Sequence, residues 1–223
     1  MKIWSTALCL AIALSICALL LKGNSQAENQ GKPTFETPPL TMRYEIDSSR
    51  SKFMVHAYRG GLAWFKGHDH LIAARDFSGV AELNLDALNP ASLQMTIRAA
   101  SLEETSDVFT KQQKGIINKE LQEIVLETAK YTDITFKSSD VKGMLKNGQF
   151  EITIGGEITL HGVTRHIVIP ATVSVEGGSL HAKGEFDLDR TKFNVNATSA
   201  FHGWVRVKHK LKFTFDIVGR QIL

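Results

Sequence analysis

Apolar and polar residues alternate along most of this chain, and most regularly near its end. From Val205 to Ile217, the residues Val205, Val207, His209, Leu211, Phe213, Phe215 and Ile217 fall on one face of an extended strand. Arg206, Lys208, Lys210, Lys212, Thr214 and Asp216 fall on the other. His209 is the polar member of the dry face. The same period of two runs through Ser51–Tyr58 (Phe53, Val55 and Ala57 on one side), Asp76–Leu85, Ser92–Ala100, Tyr131–Val141, Phe150–Leu160, Arg165–Val175, Leu180–Asp189 and Phe193–Ser199. Asn89-Pro90, His161-Gly162-Val163 and Gly177-Gly178 punctuate these runs as turns.

Ser101–Lys130 breaks the pattern. Val108, Ile116, Ile117, Leu121, Ile124, Val125 and Leu126 are spaced for a helix among Lys, Gln and Glu, with Ser106 and Asp107 as candidate caps and Gly115 as a point of division. The fold class is therefore all-β with one helical insertion, and about eight closely spaced strands predict an antiparallel barrel. A barrel of this size is either filled by side chains or holds one ligand. Periodicity leaves both open.

The start of the chain has a different composition. Met1-Lys2 precedes the apolar run Ile3–Leu21, and Ser25 and Ala27 supply small residues. Residues 1–27 read as a secretory signal peptide, with an uncleaved membrane anchor as the alternative. Residues 28–42, with Pro33, Pro38 and Pro39, form a polar arm, and residues 43–223 form the domain. Cys9 and Cys17 both lie in the signal, so the exported domain carries no disulfide, which suits a periplasmic location. Lys2 and Lys22 leave with the signal and no acid does, so the formal charge of +3 falls to +1. That balance argues against nucleic acid as a partner.

His68-Asp69-His70 places two imidazoles on one side of an extended segment, and His161, His166 or Asp69 could complete a metal site. A hydrogen-bonded loop is the simpler reading. The basic row Arg206, Lys208, Lys210 and Lys212 is either a solvated strand face or a surface for transient membrane contact. No nucleophile elbow, zinc-protease or phosphate-loop motif is present, so no catalytic residue is named and the chain is read as a non-enzyme without a cofactor.

Five segments in order carry a resemblance: Tyr44-Glu45-Ile46-Asp47, Asp76-Phe77-Ser78-Gly79, Lys130-Tyr131-Thr132-Asp133-Ile134-Thr135-Phe136, Gly156-Glu157-Ile158-Thr159-Leu160-His161-Gly162 and Leu188-Asp189-Arg190-Thr191-Lys192-Phe193. Together they resemble the YceI-like family from about Met42 onward. Thr132 stands where the family often has proline, and the Gly67–His70 loop is richer in histidine. The resemblance implies a lipocalin-like, eight-stranded barrel that holds a polyisoprenoid-type lipid or a quinone-like molecule in a tunnel. Phe53, Val55, Ile152, Ile154, Val173, Phe213 and Phe215 would form its wall, and His209 is either a core histidine with one satisfied hydrogen bond or a donor to a polar head group. Arg190 is read as a structural ion-pair partner or a turn anchor. A metal- or stress-related binding protein using His68 and His70, and an enzyme acting on a tunnel-bound lipid, are the alternatives. A homodimer is left open.

Overall fold

The computed structural model describes residues 41–86, 88–196 and 206–222. The chain starts with β1 (Thr41–Ile46), β2 (Lys52–Ala57) and the short β3 (Arg59–Gly60). After a loop come β4 (His70–Ala74), β5 (Phe77–Asn84), β6 (Leu88–Arg98) and β7 (Leu102–Glu104). Helix α1 (Lys111–Glu120) continues into a wider turn at Leu121–Val125. Four long strands follow: β8 (Asp133–Lys146), β9 (Gln149–Leu160), β10 (Val163–Glu176) and β11 (Ser179–Asp189). β12 (Arg206–Val207) and β13 (Lys210–Ile222) complete the described chain.

Hydrogen bonding in the order β1-β5-β6-β8-β9-β10-β11-β13, closed by β1 against β13, makes an eight-stranded antiparallel barrel. The long hairpins β8–β9, β9–β10 and β10–β11 turn at Asn147-Gly148, His161-Gly162 and Gly177-Gly178. All six of these residues have positive φ, between 51° and 79°. Two consecutive positive φ values give the turn whose twist matches that of the flanking strands, and Asn and Gly adopt it most easily.

The barrel is closed at one end and split at the other. β13 pairs with β1 through Gly219–Ile222 and with β2 through Lys212–Asp216. From β2 the sheet runs on through β4 to β7, whose far edge pairs with no strand among the described residues. The segment carrying α1 lies at this edge. Asn118 Oδ1 accepts the Glu104 amide at 2.7 Å, Lys114 Nζ donates to the Thr105 carbonyl at 2.9 Å, and Gln122 Nε2 donates to the Ala100 carbonyl at 3.3 Å.

Several expected boundaries move. The helix starts later than Ser106 or Asp107 suggests. Thr110 is its cap, with a reciprocal Thr110–Gln113 box, and Gly115 lies inside an unbroken helix. The irregularity falls instead at Leu121–Val125, where the Leu126 amide reaches back to the Leu121 carbonyl at 2.9 Å. Asn89-Pro90 is part of β6, and the preceding turn sits at Leu85–Asp86, where Asn84 Oδ1 accepts the Asp86 amide at 2.8 Å. Arg190–Phe193 is a 3₁₀ turn where a strand from Phe193 was expected. Thr41 and Met42, assigned to the arm, belong to β1. The signal, most of the arm, Val205 and the end of the Phe193–Ser199 segment lie outside the described residues.

Candidate functional site

The dry faces of the strands meet inside the barrel without filling it. The larger void, towards the split end, gives the centre of a water-sized sphere about 190 Å³ to move in. Phe53, Val55 and Phe213 line it, with Ile72, Leu102, Leu160 and Leu188, and α1 and its continuation add Ile117, Leu121 and Leu126. The smaller void, about 100 Å³, is lined by Ile152, Ile154, Val173 and Phe215, with Leu83, Leu180 and Ile217 among others. Phe53 and Phe186 border both. All seven apolar side chains named from the sequence therefore line one or the other of these two adjoining chambers.

An aromatic collar divides the two chambers. Phe186 stacks on Phe213 with centroids 5.0 Å apart, Phe53 meets Phe213 edge-on at 6.2 Å, and Phe215 lies 6.4 Å from Phe186. Glycine at 184 makes room for this arrangement, because a Cβ there would sit 2.5 Å from the Phe215 ring. Phe186 was not singled out from sequence, although it shares the alternation of Leu180, Ala182 and Leu188.

His209 is a correction. It is exposed and lines neither chamber. The alternating run is broken at Lys208–His209 because Arg190 takes the backbone carbonyls there. Its amide donates to His209 O at 2.9 Å, Nε to Lys208 O at 3.2 Å, Nη2 to Val207 O at 3.2 Å and Nη1 to Val195 O at 2.8 Å. With those acceptors drawn sideways, the face assignment does not carry across the break. Burial lowers the pKa of the Arg190 guanidinium, against a smaller opposing effect of the Asp189 carboxylate. The anchor role expected for Arg190 describes this geometry, although its partners are backbone carbonyls.

Lys210 and Lys212 of the basic row lie on the solvated outer face of the barrel, one of its two expected readings. Lys210 pairs with Asp187 at 2.9 Å and Lys212 with Glu185 at 2.7 Å, both across to β11. The hydrogen bond that Lys212 donates to Glu185 raises the pKa of Lys212. These charges form a cross-strand ladder on the barrel exterior.

The histidine loop separates its two imidazoles. His68 lies edge-on to Phe109 at 5.6 Å, and His70 stacks on the same ring at 5.2 Å. Asp69 accepts the Arg59 amide at 2.8 Å. His161 is buried in the β9–β10 turn. Its Nε2 lies 2.8 Å from the Glu127 carboxylate, at ion-pair distance but without hydrogen-bond alignment. His166 is exposed on β10. Among the described residues no three His, Cys, Asp or Glu side chains gather as a metal site.

His70 instead lines the larger chamber, where His70, Glu120 and Arg190 are the polar members of an otherwise apolar wall. Its Nδ1 lies 2.7 Å from Glu104, whose side chain is 0% exposed. Sequence gave no reason to single out Glu104, since a buried acid in Leu102-Glu103-Glu104-Thr105 reads like its exposed neighbour Glu103.

The structure defines the chain as a closed eight-stranded antiparallel barrel with an unfilled apolar interior. The YceI-like domain model matches residues 44–218, and the chain belongs to the YceI-like family. It is 34% identical over 110 residues to a UPF0312 protein of Pseudomonas fluorescens, covering 46% of this chain and 50% of that one. It is 31% identical over 138 residues to the protein YceI of Escherichia coli, covering 60% and 63%. The chain thus spans about half the length of the first of these curated relatives. Among solved structures, BcnA of Burkholderia cenocepacia shares the fold with a TM-score of 0.62 at 20% identity, covering 78% of this chain and 98% of that one. A polyisoprenoid binding domain from Saccharophagus degradans implicated in plant cell wall breakdown gives 0.57 at 12% identity, covering 80% and 98%.

Proposed function

We propose that this protein binds a polyisoprenoid-type lipid in the barrel interior and sequesters or carries it, with no bond made or broken. The observation that carries this reading is the pair of contiguous apolar chambers of about 190 and 100 Å³. An apolar cavity of about 150 Å³ takes a benzene-sized guest. The two chambers as they stand therefore hold on the order of ten carbons, and a longer chain moves the Phe53–Phe186 collar or leaves its end outside. Each buried CH₂ contributes about 0.8 kcal/mol. The Saccharophagus degradans neighbour with the same fold, a polyisoprenoid binding domain, supports this ligand class.

Export by the segment 1–27 would place the barrel in the periplasm, with a membrane surface as source or destination of the lipid. The surface suited to that contact is the loop after β3, where Leu62 is 85%, Trp64 53% and Phe65 65% exposed. Arg59 lies 5.5 Å from the Trp64 ring, Lys66 ends the same turn, and Lys208 borders the same surface hollow as Arg59 and Trp64. Exposed aromatic and aliphatic side chains among cations match an anionic lipid surface. β3 pairs with β12, and Val207 of β12 lines the larger chamber, so this loop stands at the chamber's rim.

Organic extraction of the purified protein followed by mass spectrometry tests the reading. An isoprenoid recovered in stoichiometric amount is expected. A clean extract from protein made in membrane-containing cells, together with no uptake of added isoprenoid, would overturn it. Sequencing the amino terminus of the periplasmic fraction checks the export step.

A further inference from the structure

In an apolar cavity a polar group decides which end of a ligand goes where, because a buried head group without a partner is costly. His70 is the first residue of β4 and part of the larger chamber's wall. Phe109 covers one face of its ring, at 5.2 Å and 17°. Glu104 holds Nδ1, at 2.7 Å. Glu104 is held in turn by the Leu71 amide at 3.1 Å and the Ser106 amide at 2.8 Å, both on Oε1. Burial pushes the Glu104 carboxyl up, but the His70 hydrogen bond and the Ser106 and Leu71 amides together outweigh it and leave it below its ordinary value.

An ionised carboxylate only accepts hydrogen bonds, so the proton of this contact belongs to His70 Nδ1. A ring protonated at Nδ1 alone carries its lone pair on Nε2. Among the described residues Nε2 has no hydrogen-bond partner. Holding β4 against β7 requires only the Nδ1 donor. The ring has one face covered by Phe109, Nδ1 held by a buried carboxylate and Nε2 unused, and the residue lines the apolar chamber with its side chain 27% exposed, so Nε2 is left accessible to a donor.

We propose that the His70–Glu104 pair is the head-group site of this chamber, with His70 Nε2 accepting a hydrogen bond from a hydroxyl at the end of an isoprenoid chain. The site selects prenol- or quinol-type lipids over isoprenoid hydrocarbons of equal length. Glu104 is a positioning residue that fixes the ring and its tautomer. This inference rests on the lipid-binding reading above.

Two ligands separate the two. Geranylgeraniol carries the hydroxyl, and phytane offers the same branched carbon skeleton without it. Each is titrated against a fluorescent apolar probe bound to the full chain, in wild type and in His70→Asn, whose amide keeps a donor near Nδ1 but has nothing at Nε2. His70→Leu, with its melting temperature measured, is the second variant. Loss of one hydrogen bond predicts about five- to tenfold weaker geranylgeraniol binding in both variants, with phytane binding unchanged. Equal losses for both ligands would assign His70 a packing role, and an unchanged alcohol affinity would remove it from the site. Either result overturns the inference and leaves the cavity reading intact. Failure of both ligands to bind wild type overturns the cavity reading and this one with it.

Discussion

Filling the smaller chamber should shorten the chain that the barrel accepts. Val173 lies on β10, opposite Phe150 of β9 and Ala182 of β11, and lines the smaller chamber but not the larger. In Val173→Trp the added rings enter a void of about 100 Å³. Overpacking therefore stays near the lower end of its usual range, about 1 kcal/mol, and the barrel remains folded. By the volume that a benzene-sized guest needs, that void holds about four carbons, worth about 3 kcal/mol, or roughly two-hundredfold in Kd. Geranylgeraniol, long enough to cross the collar, should lose about that factor. Geraniol, half its length and seated mainly in the larger chamber, has only about two carbons beyond what that chamber holds and should lose roughly twentyfold on the same carbon count. Probe displacement in wild type and variant gives both constants, and far-UV circular dichroism checks the fold. Equal losses for the two alcohols would refute the two-chamber reasoning, as would no loss for the longer one.

Arg190→Met removes the donors to Val195, Val207 and Lys208 and should lower the melting temperature by roughly 5–10 °C, from about 2–3 kcal/mol of lost charged hydrogen bonds, as read by thermal unfolding. Arg190→Lys should rescue only part of this, because an ammonium lacks the planar fork. A Leu62→Ser/Trp64→Ser/Phe65→Ser triple variant should lose most sedimentation with anionic phosphatidylglycerol vesicles while its melting temperature stays within about 2 °C, since these side chains are largely exposed. Because the folded Glu104 carboxyl lies below its unfolded value, its contribution to stability is present above the unfolded value, ordinarily 4.5, and is lost as pH falls through the folded one. The stability difference between wild type and Glu104→Gln should therefore shrink on acidification below about pH 4.5 in denaturant titrations, and a difference that grows there would contradict the assignment.

What the sequence revealed was mostly local. A strand's two faces are set by its own residues, so Phe53, Val55, Ile152, Ile154, Val173, Phe213 and Phe215 could be placed inward before any pairing was known. Asn147-Gly148 is equally readable as a tight hairpin, by the chemistry that makes Gly177-Gly178 one. His209 failed because alternation assumes an unbroken strand. What breaks it is Arg190, distant in sequence, taking carbonyls that a ladder would have used. His70 was noticed for its spacing to His68, a metal-site signal, while its actual partner Glu104 is 34 residues away. The split of the barrel was also hidden. It depends on β13 offering one edge to two different strands, which no window of sequence contains.

On the proposed lipid-binding reading, that split offers the ligand a route. Parting two barrel strands would break a run of backbone hydrogen bonds such as the eleven-residue register between β9 and β10. Lifting α1 breaks far less. No residue of the helix is fully buried, and it is tied to the β7 region by three side-chain-to-backbone contacts, from Asn118, Lys114 and Gln122. At about 1 kcal/mol each these come to roughly 3 kcal/mol, plus the contacts of half-buried Ile117, Leu121 and Val125 and of buried Leu126 with the larger chamber. That cost is small enough for thermal opening, and a bound chain that packs against Ile117 and Leu121 would help to recover it. The helix lies next to β7, the strand that carries Glu104. A lipid entering under α1 would then meet the His70–Glu104 pair at the larger chamber before its tail reaches the collar. Entry tail first, with the head group stopping at the pair, is the order in which both ends find a partner.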